Sequence, residues 1–342
     1  MKNTGPITLR RGRVISADTF DFEAFDALLA NTDGIDTFCS SSAWAESSRR
    51  AFMPHADLAV YEHRSAMAVF ALTRMPEGHR MLLPLDATWT LSSSIAAAFP
   101  RRDIPGLISQ ILEDRLYVDF CILSGIRPTS TLYRMVVTAL AEHMLALTQM
   151  RPAHRAVADI SEGYDAWLGR RSAKFRASIR RAERRTQEAG INLEILPPSR
   201  VQMSLMDTFH AIERRSWKGR EGTGITEQSM SDFVEGFLRR TREKNQSRIL
   251  LASKDDQPIG FILGGVFQRG YRGAQMSFDD AYRKLGLGNA MQSHMIRSLI
   301  DDGVKTYDLG SSMPYKLRWA DYEDRSNSLL IGPIHRIPPS SE

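Results

Sequence analysis

Between residues 248 and 309 the chain alternates strand and turn so tightly that few folds fit. Three apolar stretches, 248–253, 259–267 and 271–278, are joined by the turns Lys254-Asp255-Asp256-Gln257-Pro258 and Gln268-Arg269-Gly270. Turns this short make an antiparallel meander, because a parallel crossover needs a dozen or more residues. Arg283-Lys284-Leu285-Gly286-Leu287-Gly288 follows and fits R-x-x-G-x-G. The pattern then predicts a helix from Leu287 to Asp301, with Leu287, Met291, Met295 and Leu299 four apart and Gly303 just past its end. Val304–Leu309 reads as a further strand. A glycine turn that opens a helix aims several backbone N–H groups one way, and the helix dipole adds to them, which suits a pyrophosphate. A dinucleotide site of the Rossmann kind would need a parallel βαβ unit and G-x-G-x-x-G, and the meander disfavours both. The P-loop pattern with its Lys-Ser/Thr is absent.

Bulk properties frame this motif. A chain of 342 residues with 42% apolar content has ample core for two domains or one large one. The net charge of +5 suits anionic ligands but is too weak to imply nucleic acid, so no DNA partner is expected. Cys39 and Cys121, the only two cysteines, make neither a disulfide framework nor a zinc pattern, and no metal is expected. No signal peptide and no run of about 18 apolar residues is visible, so the expectation is a cytoplasmic protein without a transmembrane segment.

Elsewhere, Asp21–Leu29 reads as a short helix, and 58–61, 67–72 and 80–83 as strands around the turns His63-Arg64-Ser65 and Pro76-Glu77-Gly78. Residues up to about 127 are of mixed character. Thr131–Thr148 is predicted as a helix, with Leu132, Met135, Val136, Leu140, Met144 and Leu147 on one face. The spacing further predicts a basic helix from about Tyr164 to Ala189, helices over 201–213 and 229–242, and a loop over Gly219–Gly224. The first-half meander resembles the second-half one, an internal duplication. Its first copy continues as Pro84-Leu85-Asp86-Ala87-Thr88-Trp89, without a glycine loop.

These residues carry a family resemblance. Arg283-x-x-Gly286-x-Gly288, Phe278-Asp279 before it, Asp308-Leu309-Gly310, Tyr315-Lys316 and Arg318-Trp319 after it, and the basic helix Lys174-Phe175-Arg176 to Arg185 resemble the GNAT superfamily of acyl-coenzyme A N-acyltransferases. They are most similar to its BioF2-like or CelD-like branch, with FemAB-like duplicated architecture. The likeness is strongest over about 165–320. It implies an α/β (α+β) fold of two GNAT-like halves, each a mostly antiparallel sheet flanked by helices. The boundaries expected are 1–155 for a degenerate first half and 156–342 for the half that binds the donor, acetyl-coenzyme A or a longer acyl-coenzyme A.

The chemistry expected is attack of a primary amine on a thioester, which needs loss of a proton and a donor for the oxyanion. The resemblance implies that a backbone N–H where strand 271–278 splays from its neighbour supplies that donor, so Met276, Ser277 and Phe278 are candidates. Arg283, Lys284, Leu285, Gly286, Leu287, Gly288 and Asn289 form the expected pyrophosphate loop. Asp279 is the first candidate base and Asp308 the second. Asp279 could instead form a turn, and Asp308 could hold the acceptor's ammonium. Tyr315 is the candidate acid for the thiolate, or a buried tyrosine bonded to backbone.

For the acceptor, a small-molecule or peptide amine, the candidates are Trp217, Lys218, Lys316, Arg176 and Arg180. Trp217 and the glycines after it suit a lid or a connector, and Lys316 suits an anion or the open surface. Eight basic residues and one acidic between Arg170 and Arg185 make either a solvated face or an anion site. RNA is disfavoured by the near absence of interleaved aromatics. His210 reads as structural. Two other functions stay open: a Fem-type transferase using aminoacyl-tRNA, against which the intact pyrophosphate loop argues, and a non-catalytic binding module.

Overall fold

The computed structural model describes residues 8–114, 117–143 and 146–332. The chain forms two compact units: one runs up to Ala153 and resumes at Arg325, and the other is His154–Asp324.

The first unit contains β1 (Arg13–Ile15), α1 (Phe22–Leu29), α2 (Thr37–Ser40), α3 (Ala45–Phe52), β2 (Asp57–His63), β3 (Ala66–Arg74), β4 (Arg80–Leu83), β5 (Ile95–Ala97), α4 (Pro100–Glu113), β6 (Phe120–Ile126), α5 (Thr131–Glu142) and β7 (Ala146–Gln149). Its sheet runs β1-β2-β3-β4-β6 and is antiparallel except for β4 beside β6. The helix expected over Thr131–Thr148 stops at Glu142. Residues 146–149 are a strand instead, with Thr148 opposite Leu330 and Leu147 opposite Ile331, so sheet pairing overrides the helical spacing there. Met144 lies outside the described residues. The stretch of mixed character holds a full helix, α4, whose internal Pro105 hides it from a periodicity reading.

The second unit contains β8 (Ala153–Asp159), α6 (Tyr164–Gly169), α7 (Ala173–Glu188), β9 (Asn192–Leu196), α8 (Leu205–Arg215), α9 (Trp217–Glu221), α10 (Gln228–Glu243), β10 (Ser247–Lys254), β11 (Gln257–Phe267), β12 (Gly270–Phe278), α11 (Leu287–Asp301), β13 (Thr306–Ser311) and α12 (Pro314–Leu317). The last strand, β14 (Tyr322–Gly332), pairs β6 and β7 through residues of the first unit. The second sheet runs β9-β10-β11-β12-β13-β8, with β12 and β13 its one parallel pair.

The basic helix expected over Tyr164–Ala189 is two helices. Ser172 breaks it by taking an extended backbone, and its hydroxyl accepts from Phe175 N. The loop expected at Gly219–Gly224 begins as the short helix α9, capped by Ser216 and stopped by Gly222 at φ +67°. Gly303 follows α11 at φ +76°, with Gly303 N and Val304 N closing onto Ile300 O and Leu299 O, as the glycine predicted. Trp319 anchors one face of this sheet. It stacks on Trp167 at 5.6 Å and meets the Phe175 ring edge-on at 5.0 Å, which fixes α6 and α7 in place. Each such ring removes about 1.5–3 kcal/mol worth of apolar surface from water. On the opposite face Phe209 of α8 stacks on Phe261 at 4.3 Å.

Candidate active site: a parted strand pair and a glycine-opened helix

β12 and β13 lie side by side over three pairs, from Gly270↔Thr306 to Arg272↔Asp308, and then part. Beyond Arg272 the register of β12 with β11 slips by one residue. Gly273 faces Gly264 and Gln275 faces Leu263, so Ala274 is a bulge. From there to Phe278, β12 has a partner on one side only. Asp279 N donates to Ile259 O at 2.8 Å, towards β11. Strand amides alternate sides, so Ser277 faces β11 while Met276 and Phe278 present their backbone groups to the open edge. The Lys218 ammonium confirms the direction by bonding Met276 O at 2.9 Å.

At the far end of this edge the chain makes a 3-10 turn over Asp280–Leu285, reverses at Gly286 (φ +83°) and enters α11. The amides of Leu287 and Gly288 open that helix and have no intrahelical acceptor. Gly288 has a packing reason as well: a Cβ there would sit 2.8 Å from the Phe278 ring and 3.0 Å from Met276 Cε. A side chain would push α11 off β12. Gly286 packs against Ala182 of α7, which brings the basic helix beside the loop, and Arg185 donates to Lys284 O at 3.3 Å. Arg283 and Lys284 are exposed on the turn, Leu285 is half-buried, and Asn289 N closes the first turn onto Gly286 O at 2.8 Å.

The candidate acid–base residues are not all together. Asp279 stands at the loop end, seven positions past Arg272, or about 20 Å along a strand. Its carboxylate caps the 3-10 turn through Ala281 N at 3.0 Å and pairs with Arg215 at 2.8 Å. Asp308 sits instead where β12 and β13 part. Arg155 and Arg272 each pair with it at 2.5 Å, Gly310 N donates to it at 2.7 Å, and Arg155 reaches on to Asp324 at 2.7 Å. Burial alone would raise the Asp308 carboxyl, but the charges of Arg272 and Arg155 outweigh it and hold the group well below its ordinary value.

Tyr315 and Lys316 come off α12 next to Asp308. Tyr315 is 56% exposed, and burial of its hydroxyl region raises its pKa. Burial and the neighbouring Arg272 lower Lys316 to about 8, against the attraction of Asp308. Burial also lowers Lys218, which Glu213 opposes.

Trp217 begins α9 and is 41% exposed. Arg176 turns back to bond Arg171 O at 2.5 Å, and Arg180 points outward from α7. His210 bonds the Ser231 hydroxyl at 2.9 Å, away from the parted strands.

Sequence reasoning missed the residues that hold this place together. Arg155 and Arg272 carry no local motif, and Arg155 meets Asp308 from 153 positions away. Glu213 is fully buried on the other face of β12. Gln275 Nε2 and Ile225 N donate to it at 2.8 and 3.1 Å, and the Ser277 hydroxyl does too. Nothing in Glu213-Arg214-Arg215 marks the glutamate as buried.

Residues 173–317 match the family model described as Acetyltransferase (GNAT) domain. No curated protein matches the sequence. Among solved structures, FemX superposes with a TM-score of 0.65 at 10% identity, covering 90% of this chain and 96% of that one. L-PGS from Bacillus licheniformis superposes at 0.56 and 13%, covering 93% and 94%. The C-terminal domain of a putative lysylphosphatidylglycerol synthetase from Agrobacterium fabrum gives 0.53 and 13%, covering 85% and 92%. Likeness at this identity is a likeness of fold. No helix among the described residues is long and apolar enough to cross a membrane. Residues 173–317 are thus similar to a GNAT acetyltransferase domain, and the chain shares the fold of FemX.

Proposed function

We propose that the second unit, the half expected to bind the donor, transfers an acyl group from acyl-coenzyme A to a primary amine within one ternary complex. The observation that carries this reading is the gap opened where β12 leaves β13, with the N-terminus of α11 at its far end. The Leu287 and Gly288 amides, with Arg283 and Lys284 beside them, suit a pyrophosphate, and Gly286 and Gly288 let the start of α11 pack close against α7 and β12. Met276 and Phe278 offer N–H groups along the open edge, where the thioester oxygen gathers charge. The donor supplies the activated thioester carbonyl, and much of the rate comes from holding the amine beside it.

We assign Tyr315, which burial keeps protonated at neutral pH, to protonate the departing thiolate, and the proton lost by the attacking amine passes through solvent to restore the phenol. Asp308 serves by fixing Arg155 and Arg272, and Asp279 by shaping the loop. Lys218 secures α9 against β12 and so makes one wall, with Trp217 at its edge.

Calorimetry with acetyl-coenzyme A tests the donor. We expect Gly288→Val to weaken binding at least tenfold. Lys284→Ala, on an exposed turn that folds regardless, should weaken it about threefold, the size of one screened surface charge contact. Unchanged affinity in both variants sinks the loop assignment. Binding of aminoacyl-tRNA with no heat from acetyl-coenzyme A would move the donor to the Fem-type alternative. Donor binding without thiol release in the presence of any amine would make the unit a binding module.

A further inference from the structure

The open edge of β12 carries a cation as well as backbone amides. Local structure fixes the stem of Lys218. The Ser216 hydroxyl caps α9 by accepting from Lys218 N at 3.2 Å and Gly219 N at 3.4 Å, and Thr223 N closes onto Lys218 O at 3.0 Å. Gly219 lets this short helix tuck against the end of α8, since a Cβ there would strike Glu213 O. From that stem the side chain reaches β12 and places Nζ 2.9 Å from Met276 O. Asp279 N, an odd number of positions further on, donates the other way, to Ile259 O of β11, so Met276 O faces the unpaired edge. Lys316, lowered first by burial and by Arg272, also feels the Lys218 charge. The ammonium therefore stands on the side of β12 turned to α12, where β12 and β13 have parted.

An ammonium has three N–H groups, and Met276 O takes one. The other two have no partner among the described residues, and no carboxylate there pairs directly with Lys218. Glu213, the anion that acts on it, lies on the other face of β12 and is engaged with Gln275, Ser277 and Ile225 N. A half-buried cation held by one neutral carbonyl gives up water for little, so it is a poor device for stability. It is a good device for an anion that forms later, because a charge withdrawn from water is screened little.

We propose that Lys218 is a catalytic residue of the acyl transfer: its ammonium donates to the thioester oxygen while that oxygen carries the charge of the tetrahedral intermediate, beside the Met276 and Phe278 amides. The inference rests on the acyl-transfer reading and adds a charged donor to it. The neutral amine forms a bond to the carbonyl carbon, and the C=O electron pair moves onto the oxygen, against Lys218. The pair then returns and the C–S bond breaks. The thiolate takes the Tyr315 proton, and the amine's surplus proton passes through solvent to restore the phenol. Lys218 keeps its own protons throughout. Glu213 is the positioning residue. Its carboxylate steadies the ammonium and, through Gln275 and Ser277, the strand whose edge the ammonium serves.

The test reads the carbonyl itself and needs no acceptor. Infrared difference spectra are taken of the full chain with acetyl-coenzyme A, unlabelled and carbon-13-labelled at the thioester carbonyl. A donor on the oxygen weakens the C=O bond, so we expect the bound band below its position in free acetyl-coenzyme A. Lys218→Met should remove at least half of that displacement, and Lys218→Arg should retain part of it. Lys218→Cys should lose it and regain it on treatment with bromoethylamine, which rebuilds an ammonium on the sulfur, the two natural cysteines being buried. Coenzyme A, which lacks the carbonyl, should bind each variant within about threefold of the unaltered chain, because the pyrophosphate loop is untouched. A displacement that Lys218→Met leaves intact, or a loss that the rebuilt ammonium does not restore, overturns the proposal. So does a tenfold loss of coenzyme A affinity in Lys218→Met, which would leave the lysine a brace and nothing more. Failure of the unaltered chain to bind acetyl-coenzyme A sinks the acyl-transfer reading, whereas binding with an undisplaced carbonyl sinks only the role of Lys218.

Discussion

The two units lay down their strands in the same order, and only one of them opens a gap. Each has an edge strand antiparallel to the first strand of a meander, and each meander ends in a strand with a parallel neighbour, β4 beside β6 and β12 beside β13. The difference lies in the last strand of the meander. In the second unit β12 absorbs one extra residue, Ala274, and runs on with its edge free. In the first unit the equivalent strand is cut. β4 pairs β3 from Arg74 back to Ala71, and β5 resumes beside the same strand from Ala68 to Ala66, with residues 84–94 looped out between. That excursion packs onto β6. The Ser124 hydroxyl bonds Ser92 O at 2.6 Å, and a Cβ on Gly125 would sit 2.4 Å from Leu91 O. Asp86 ties the loop together, accepting from Trp89 N, Leu91 N, the Trp44 indole and the Ser48 hydroxyl at 3.0 to 3.3 Å.

The helix that follows differs in the same sense. α4 begins at Pro100, not behind a glycine, and carries Asp103 in its first turn, bonded to Ser65 and Arg102. A carboxylate already stands where the second unit leaves bare amides for an anion. One topology thus yields an open gap or a filled interior, depending on what is inserted at a single break in one strand.

The strongest way to break the comparison is to disturb the charge cluster where β12 and β13 part. Asp308→Asn leaves Arg155 and Arg272 buried with one carboxylate fewer. We expect about 3–5 kcal/mol of lost stability, read from the denaturant midpoint of the second unit. The pH dependence has a definite sign. The folded pKa of Asp308 is depressed, so its contribution is present above the unfolded value near 3.9 and is lost as pH falls through the folded one. The variant should therefore flatten the acid limb of the stability curve.

A smaller effect sharpens the other side. Asp86→Ala removes the acceptor that organises the excursion in the first unit. It should cost about 1–3 kcal/mol there, leaving the affinity for acetyl-coenzyme A within twofold of wild type. The smallest effect, about 1 kcal/mol, is expected from Ser172→Ala, which uncaps α7, the helix packed beside the loop through Ala182. Circular dichroism melting reads that loss.

Legibility in the sequence followed how local the determining interactions are. The run β10–β11–β12–α11 announces itself through short turns, two glycines and a repeat of four, and the structure keeps all of it. β8 and β9 were invisible because one short strand looks like any apolar stretch until its partners are known. The break at Ser172 was missed because basic residues on both sides continue the helical pattern while the serine hydroxyl ends it. At the site, the glycines were legible because backbone geometry demands them. Arg155, Arg272 and Glu213 were not, since a buried charge is identified by its partners, and these lie 12 to 153 positions away.

The first unit is made of two stretches of chain, the second of one. During synthesis β6 must wait for residues 327–331 before it has a neighbour on that side, whereas everything the second unit needs has by then left the ribosome. At about 5–20 residues per second the exposed edge of β6 waits on the order of 10–40 s. The second unit is therefore the one able to complete its folding first, and the first unit is the one whose nascent edge stands open to chaperones or to mispairing.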